Sequence, residues 1–277
     1  MIVNPLWIVA LCVASSSICA VELTAPRVGL GADGGPVRAA AEARADDPDA
    51  LWKIVRDQCI PNQQQRGTPE PCASVDLHDG AAKGYAVFKD RNGIAQYLLI
   101  PTTPVPGIES ASLLAFDAPN YFAAAWRGRS FVEAALHRAL PRDGITLAIN
   151  STYSRSQAQL HIHIDCTRDV VRDALVRKQE TIGDGWAPLD EPLAGHRYSA
   201  MRVLSEGLDG FNPFKLLASA LPDPAKTMGE HTLVVIAVNF PDGRPGFVLL
   251  ADRANPAAGD QAHGTELQDR ACGLGRQ

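Results

Sequence analysis

The stretch Gln159-Leu160-His161-Ile162-His163-Ile164-Asp165 alternates polar and apolar side chains without a fault. Period two is the period of an extended strand, whose successive side chains point to opposite faces. Leu160, Ile162 and Ile164 therefore belong to a core, and Gln159, His161, His163 and Asp165 share the other face. Two imidazoles at i and i+2 project the same way and can converge on one small ligand. Three chemistries compete for such a pair. A His-x-His strand can supply half of a zinc or iron site, but it needs a third ligand. His78, His137, His196, His231 and His263 have no neighbours that complete a recognisable ligand spacing. One imidazole can instead act as a nucleophile at phosphorus while its neighbours orient it and neutralise charge. The third reading is structural, with histidines facing solvent or a satisfied polar core.

Outward from this strand, the chain reads as mixed α and β. Upstream lie a strand at 145–150 and a polar loop at 151–156. Further upstream, strands at 85–89 and 95–100 are joined through Asp90-Arg91-Asn92-Gly93, a hairpin signal. Apolar spacing predicts one helix over 119–140, weakened at Gly128, and another from Leu51 to Cys59 behind the Asp47-Pro48 start signal. Downstream come a helix at 169–180 and strands at 197–204, 231–240 and 247–251. The class is α+β. The later strands echo the earlier ones too weakly to establish a duplication.

The ends and the cysteines add a compartment. No charged side chain occurs from Ile2 to Val21, which marks residues 1–21 as an export signal or membrane anchor. Residues 22–46, rich in Ala, Gly, Arg and Asp, are a tether, and the folded domain is expected over 47–277. Of the 6 cysteines, Cys12 and Cys19 fall in the apolar segment. The remaining Cys59, Cys72, Cys166 and Cys272 allow three disulfide connectivities in an oxidising compartment. Cys59 and Cys72 bracket a polar loop with no apolar anchor of its own; closing it would contribute roughly 3 kcal/mol in the chain-entropy model. Cys166 and Cys272 would then pair. Buried free thiols are the alternative. With 46% hydrophobic and 21% charged residues the 277-residue chain is neither disordered nor a polytopic membrane protein. A net charge of −5 and 6% aromatic content give no basic field or stacking platform, so no nucleic-acid partner is expected.

The segment from Ala148-Ile149-Asn150 through Arg155-Ser156-Gln157-Ala158-Gln159 to His161-Ile162-His163-Ile164 resembles the histidine-triad (HIT) superfamily of nucleotide hydrolases and transferases. Tyr85-Ala86-Val87-Phe88-Lys89-Asp90 and Tyr97 to Pro101 look like the hairpin of that superfamily. One departure is plain: Gln159 holds the first triad position in place of a histidine. Within the superfamily the chain is more closely similar to the CDP-diacylglycerol pyrophosphatase family, from about Leu51 to Cys272. The blocks Leu51 to Val55, Cys59 to Gln65, His161 to Cys166 and Glu266 to Asp269 carry that likeness.

The resemblance implies a HIT-like fold: an antiparallel sheet with flanking helices, elaborated by further strands in the C-terminal half. It implies hydrolysis of the membrane lipid CDP-diacylglycerol to phosphatidate and CMP. His161 would attack phosphorus, with His163 and Gln159 supporting charge on the phosphoryl oxygens. Asn150, Ser156 and Gln157 would bind or orient, with Lys89 and Arg155 as weaker substrate-binding candidates. No metal or cofactor is expected. The location implied is the periplasmic side of the inner membrane, with association through the N-terminal segment. A nucleotide-lipid binding protein with weakened catalysis and a metal-dependent phosphohydrolase are the alternatives.

Overall fold

The computed structural model describes residues 47–274. The anchor and tether expected over 1–46 lie outside the described residues. Among those described, no helix is long and apolar enough to cross a membrane.

Ten strands form one sheet: β1 (Ser74–Asp76), β2 (Tyr85–Lys89), β3 (Tyr97–Pro101), β4 (Ile145–Ile149), β5 (Ile162–Thr167), β6 (Ala187–Pro188), β7 (Ser199–Leu204), β8 (His231–Asn239), β9 (Pro245–Arg253) and β10 (Gln268–Asp269). Their order is β1-β2-β3-β5-β4-β8-β9-β7-β6, and every pairing is antiparallel. β10 pairs with β5 through Gln268↔Thr167 and Asp269↔Cys166, just past the residues that β5 pairs with β3. The helices are α1 (Ala50–Ile54), α2 (Ile60–Arg66), α3 (Tyr121–Arg127), α4 (Arg129–Leu136), α5 (Asp169–Lys178), α6 (Pro213–Ala220) and the single turn α7 (Pro224–Thr227).

Read outward from the central pair β4 and β8, the order is the same on both sides: β5, β3, β2 on one flank and β9, β7, β6 on the other. Helices α3 and α4 connect β3 to β4, and α6 lies between β7 and β8. The chain thus repeats a strand pair, helix and hairpin, which the sequence hints at only weakly. The halves differ where chemistry is at stake. Aligned across the sheet, His163, Ala148, Val234 and Leu250 share one row, and Asp165, Thr146, Ile236 and Val248 the next. β5 carries an imidazole and a carboxyl where β9 carries Leu250 and Val248.

One sheet face is closed by α3, α4 and α6. Phe122 and Trp126 of α3 and Phe214 and Leu217 of α6 pack on Leu147, Ile162, Ile164, Val235 and Phe247. The ring centroids of Phe122 and Phe214 stand 4.9 Å apart, and Trp126 meets Phe247 edge-on at 5.3 Å. Each such buried side chain contributes on the order of 1.5–3 kcal/mol. The helix expected over 119–140 is in fact two, broken at Gly128. A Cβ there would fall 2.9 Å from Ile164 Cδ1, so the glycine lets the break sit close against β5.

The opposite face is covered in two patches. At one side Val171, Ala174 and Leu175 of α5 pack on Val234, Ile236, Val248 and Leu250. At the other, Leu51 and Val55 pack with the Cys59–Cys72 disulfide on Ala86, Leu98 and Ile100. The helix expected to end at Cys59 continues through a π-helical turn (Val55–Cys59) into α2. Pro61 lies in the first turn of α2, where its missing N–H interrupts least, and Gly67 ends the helix at φ 69°. Alternation along β5 points His163 into the gap between the two patches.

Candidate active site

His161 and His163 sit side by side, their ring centroids 4.8 Å apart and their planes inclined at 67°. Both are buried, yet both line a cleft of about 690 Å³. One wall is apolar and comes from Leu51, Ile54, Phe88 and Leu98. The rest is polar, from the 89–92 turn, Asn150, Ser154, Ser156, Gln157, His263, Thr265 and Arg270.

Each imidazole is oriented through its Nδ1. His161 Nδ1 lies 2.7 Å from the main-chain oxygen of Gln159. A carbonyl only accepts, so His161 carries its proton on Nδ1 and leaves Nε2 as a bare lone pair. Gln96 does the same for His163. In the orientation that satisfies all its neighbours, the Gln96 amide nitrogen donates to Asn92 O and Asp90 Oδ2, each at 3.2 Å, and its oxygen accepts from His163 Nδ1 at 3.1 Å. His163 Nε2 has no protein partner. Burial lowers the pKa of His161 despite the pull of the Gln159 carbonyl and Asp90. Burial, then the neighbouring His161, Arg270 and His263, hold His163 well below the ordinary imidazole value. Both rings are therefore neutral at neutral pH, the form in which Nε2 is nucleophilic.

Several expected residues are where the sequence puts them, with different work. The Gln159 side chain turns away from the cleft: its amide nitrogen donates to Pro101 O and Thr103 O, and its oxygen accepts from Val105 N. It straps the 101–105 segment to the histidine strand and serves His161 through its main chain. Gln157 borders the cleft, but its oxygen accepts from Leu51 N at 3.0 Å and its nitrogen donates to Asp47 O. It anchors the start of α1. Asn150 lines the cleft and accepts from Thr265 N at 3.3 Å, tying the end of β4 to the 264–267 turn. Ser156 lines the cleft and is exposed. Lys89 is also a lining residue, but its ammonium donates to Asp90 O at 2.7 Å and Gly93 O at 3.1 Å. Arg155 is absent from the cleft lining and pairs with Glu109 at 2.6 Å.

Gln96, His263, Thr265 and Arg270 were not singled out by the sequence. A signal existed for Gln96, since a glutamine flanked by Ala95 and Tyr97 at the start of an apolar strand must find a partner if buried. It is completely buried. Nothing local marks the others.

Both expected disulfides are present, Cys59–Cys72 and Cys166–Cys272. Among the described residues the one tight group of three metal-ligating types is Asp165, Cys166 and Cys272, whose sulfurs are bonded to each other. Among the described residues, none of these types forms a tight group of three with His161 and His163.

The matching region of known sequence is broad. The model of the CDP-diacylglycerol pyrophosphatase family matches residues 46–276. The chain belongs to the CDP-diacylglycerol pyrophosphatase family. A CDP-diacylglycerol pyrophosphatase of Yersinia pestis is 43% identical over 229 residues, covering 83% of this chain and 86% of that protein. All the cleft residues and both disulfides fall within the part matched by the CDP-diacylglycerol pyrophosphatase family.

Asp165, next along the histidine face, has a carboxyl pushed up to about 7, first by burial and then by Asp269, against the Cys166 N–H, Lys89 and Arg270. In the unfolded chain an Asp loses its proton near pH 4, at about 3.9. The folded state holds the proton longer, so this group's contribution falls as pH rises from about 4 and is fully lost above about 7. Asp165→Asn removes that penalty. Its gain in Tm over wild type is expected to be larger at pH 8 than at pH 5; equal gains by calorimetry would contradict the assignment.

Proposed function

We propose that this chain hydrolyses the pyrophosphate bond of CDP-diacylglycerol, releasing CMP and phosphatidate through a nucleotidyl-histidine intermediate on His161. Family membership supports the activity, and the observation that carries the mechanism is the bare, neutral Nε2 of His161, oriented by the Gln159 carbonyl. The Nε2 lone pair attacks the CMP phosphorus and the bridging P–O bond breaks toward phosphatidate. Water then attacks the same phosphorus, the N–P electron pair returns to His161, and CMP leaves. His163, which lines the cleft and whose Nε2 has no protein partner, accepts the proton of that water. Gln159 and Gln96 act on these rings by orienting them. Ser156 and Asn150 are binding groups at the cleft edge. Gln157 and Lys89 hold the backbone around it and Arg155 is paired with Glu109, so their effect on substrate is indirect.

The reading extends to fold and place. The strand order and the histidine strand support a HIT-like fold doubled within one chain. Two disulfides suit an oxidising compartment, and with the uncharged run at 2–21 they support a periplasmic domain tied to the inner membrane. An imidazole nucleophile needs no metal-bound hydroxide. Full-length protein in detergent should convert CDP-diacylglycerol to equal amounts of CMP and phosphatidate, with activity largely retained in EDTA. Binding without turnover would favour the lipid-binding alternative. Full inhibition by EDTA with rescue by zinc would favour a metal hydrolase.

A further inference from the structure

The histidine cleft does not end at the histidines. A second cleft of about 760 Å³ shares His263, Thr265 and Arg270 with it and continues past Arg168, Val170 and Ala271. Two of the acidic groups along this continuation, Glu266 and Asp269, are turned toward protein partners, and Asp169 is exposed. Glu266 accepts from Tyr198 at 2.7 Å and pairs with His196 at 2.8 Å. The Asp269 carboxylate accepts from Ala271 N and Gly273 N. Asp169 faces Arg172 at 3.6 Å. Arg168 donates its Nε to Gln268 O.

Arg270 stands where the two clefts join, and its backbone is tethered far more than an exposed residue requires. On one side Asp269 pairs with Cys166 in the sheet; on the other, Cys272 is bonded to Cys166. Its own carbonyl accepts from Ile94 N at 3.0 Å. Cys166 lies three positions past His163 on the same strand. Arg270 is also among the cations whose charge bears on His163. In-line attack by His161 sends the leaving group away from it, and the cleft continues past Arg270.

We propose that Arg270 binds the departing phosphate of the lipid half of the substrate at the junction of the two clefts, held there by the Cys166–Cys272 bridge. This deepens, and rests on, the hydrolase reading above. As the N–P bond forms at His161 Nε2 and the bridging P–O bond breaks, the electron pair remains on the lipid phosphate oxygen. The guanidinium neutralises that growing charge with charge-assisted hydrogen bonds, in the bidentate geometry arginine offers phosphate. The second cleft then receives the glycerol end of the lipid.

The test compares product binding by full-length wild type, Arg270→Gln and Arg270→Lys, using soluble dihexanoyl phosphatidate and CMP in separate calorimetric titrations. Arg270→Gln should bind the phosphatidate about 10–100-fold more weakly, as expected for a lost charged hydrogen-bond pair, while its affinity for CMP and its Tm stay at wild-type values. Arg270→Lys should recover part of the loss. Turnover of CDP-diacylglycerol should fall in the same order. Unchanged phosphatidate affinity in Arg270→Gln, or an equal loss of affinity for CMP, overturns the proposal. The binding experiment does not need turnover, so a wild type that releases no CMP refutes the hydrolase reading and leaves this result to be read by itself.

Discussion

His161→Ala is expected to reduce turnover of CDP-diacylglycerol to background, while the protein keeps its cooperative melt. In the proposed mechanism the loss is total because the nucleophile itself is gone: no other bare, oriented Nε2 lies where His161 places its own. His163→Ala loses less, on the order of 10²–10⁴-fold, the range for removing a positioned acid–base or charge-supporting group. The two side chains touch the same buried space, so damage to packing would lower both activities alike. A separation of the two variants in kcat, at similar Tm, is therefore the informative readout. Activity in His161→Ala at the level of wild type would leave the histidines as structure.

Cutting the Cys166–Cys272 bridge is the largest expected blow to stability. The bridged residues are 106 apart in sequence, against 13 for Cys59–Cys72. In the chain-entropy model a loop of about 100 residues is worth about 4.7 kcal/mol and a short one about 3. Net stabilities of whole domains run only about 5–15 kcal/mol, so the long bridge is a large share. Cys166→Ala/Cys272→Ala should therefore lower the urea midpoint more than Cys59→Ala/Cys72→Ala. The loss should extend to function, because β10 and Arg270 are held beside the histidine strand by that bridge. A pair of midpoints in the reverse order, or a long-bridge variant as stable as wild type, would contradict the role given to it.

The histidine strand was legible because its information is local: period-two alternation needs no knowledge of what packs where. The disulfide pairing was legible for a related reason, since a polar loop between Cys59 and Cys72 has little else to close it. Strands as short as β6 and β10 carry no periodicity, and their existence depends on partners far along the chain. The partners of Gln157 and Arg155 were hidden for the same physical reason. A polar side chain in a loop looks available until Leu51, Asp47 and Glu109 arrive beside it. Gln159 illustrates the limit most sharply. The motif sets it beside the histidines, but whether its amide or its carbonyl serves them depends on where residues 101–105 run. Arg270, a hundred residues downstream of the histidines, became visible only through the sheet pairing and bridge that bring it back.

The central claim is that phosphorus is transferred twice, first to His161 and then to water. It is tested most directly by the stereochemistry at the CMP phosphorus, using CDP-diacylglycerol made chiral there by sulfur and hydrolysed in isotopically labelled water. Two in-line displacements invert the centre twice, so the account predicts product CMP phosphorothioate with net retention. Net inversion would mean that water attacks directly, and would contradict a nucleotidyl-histidine intermediate.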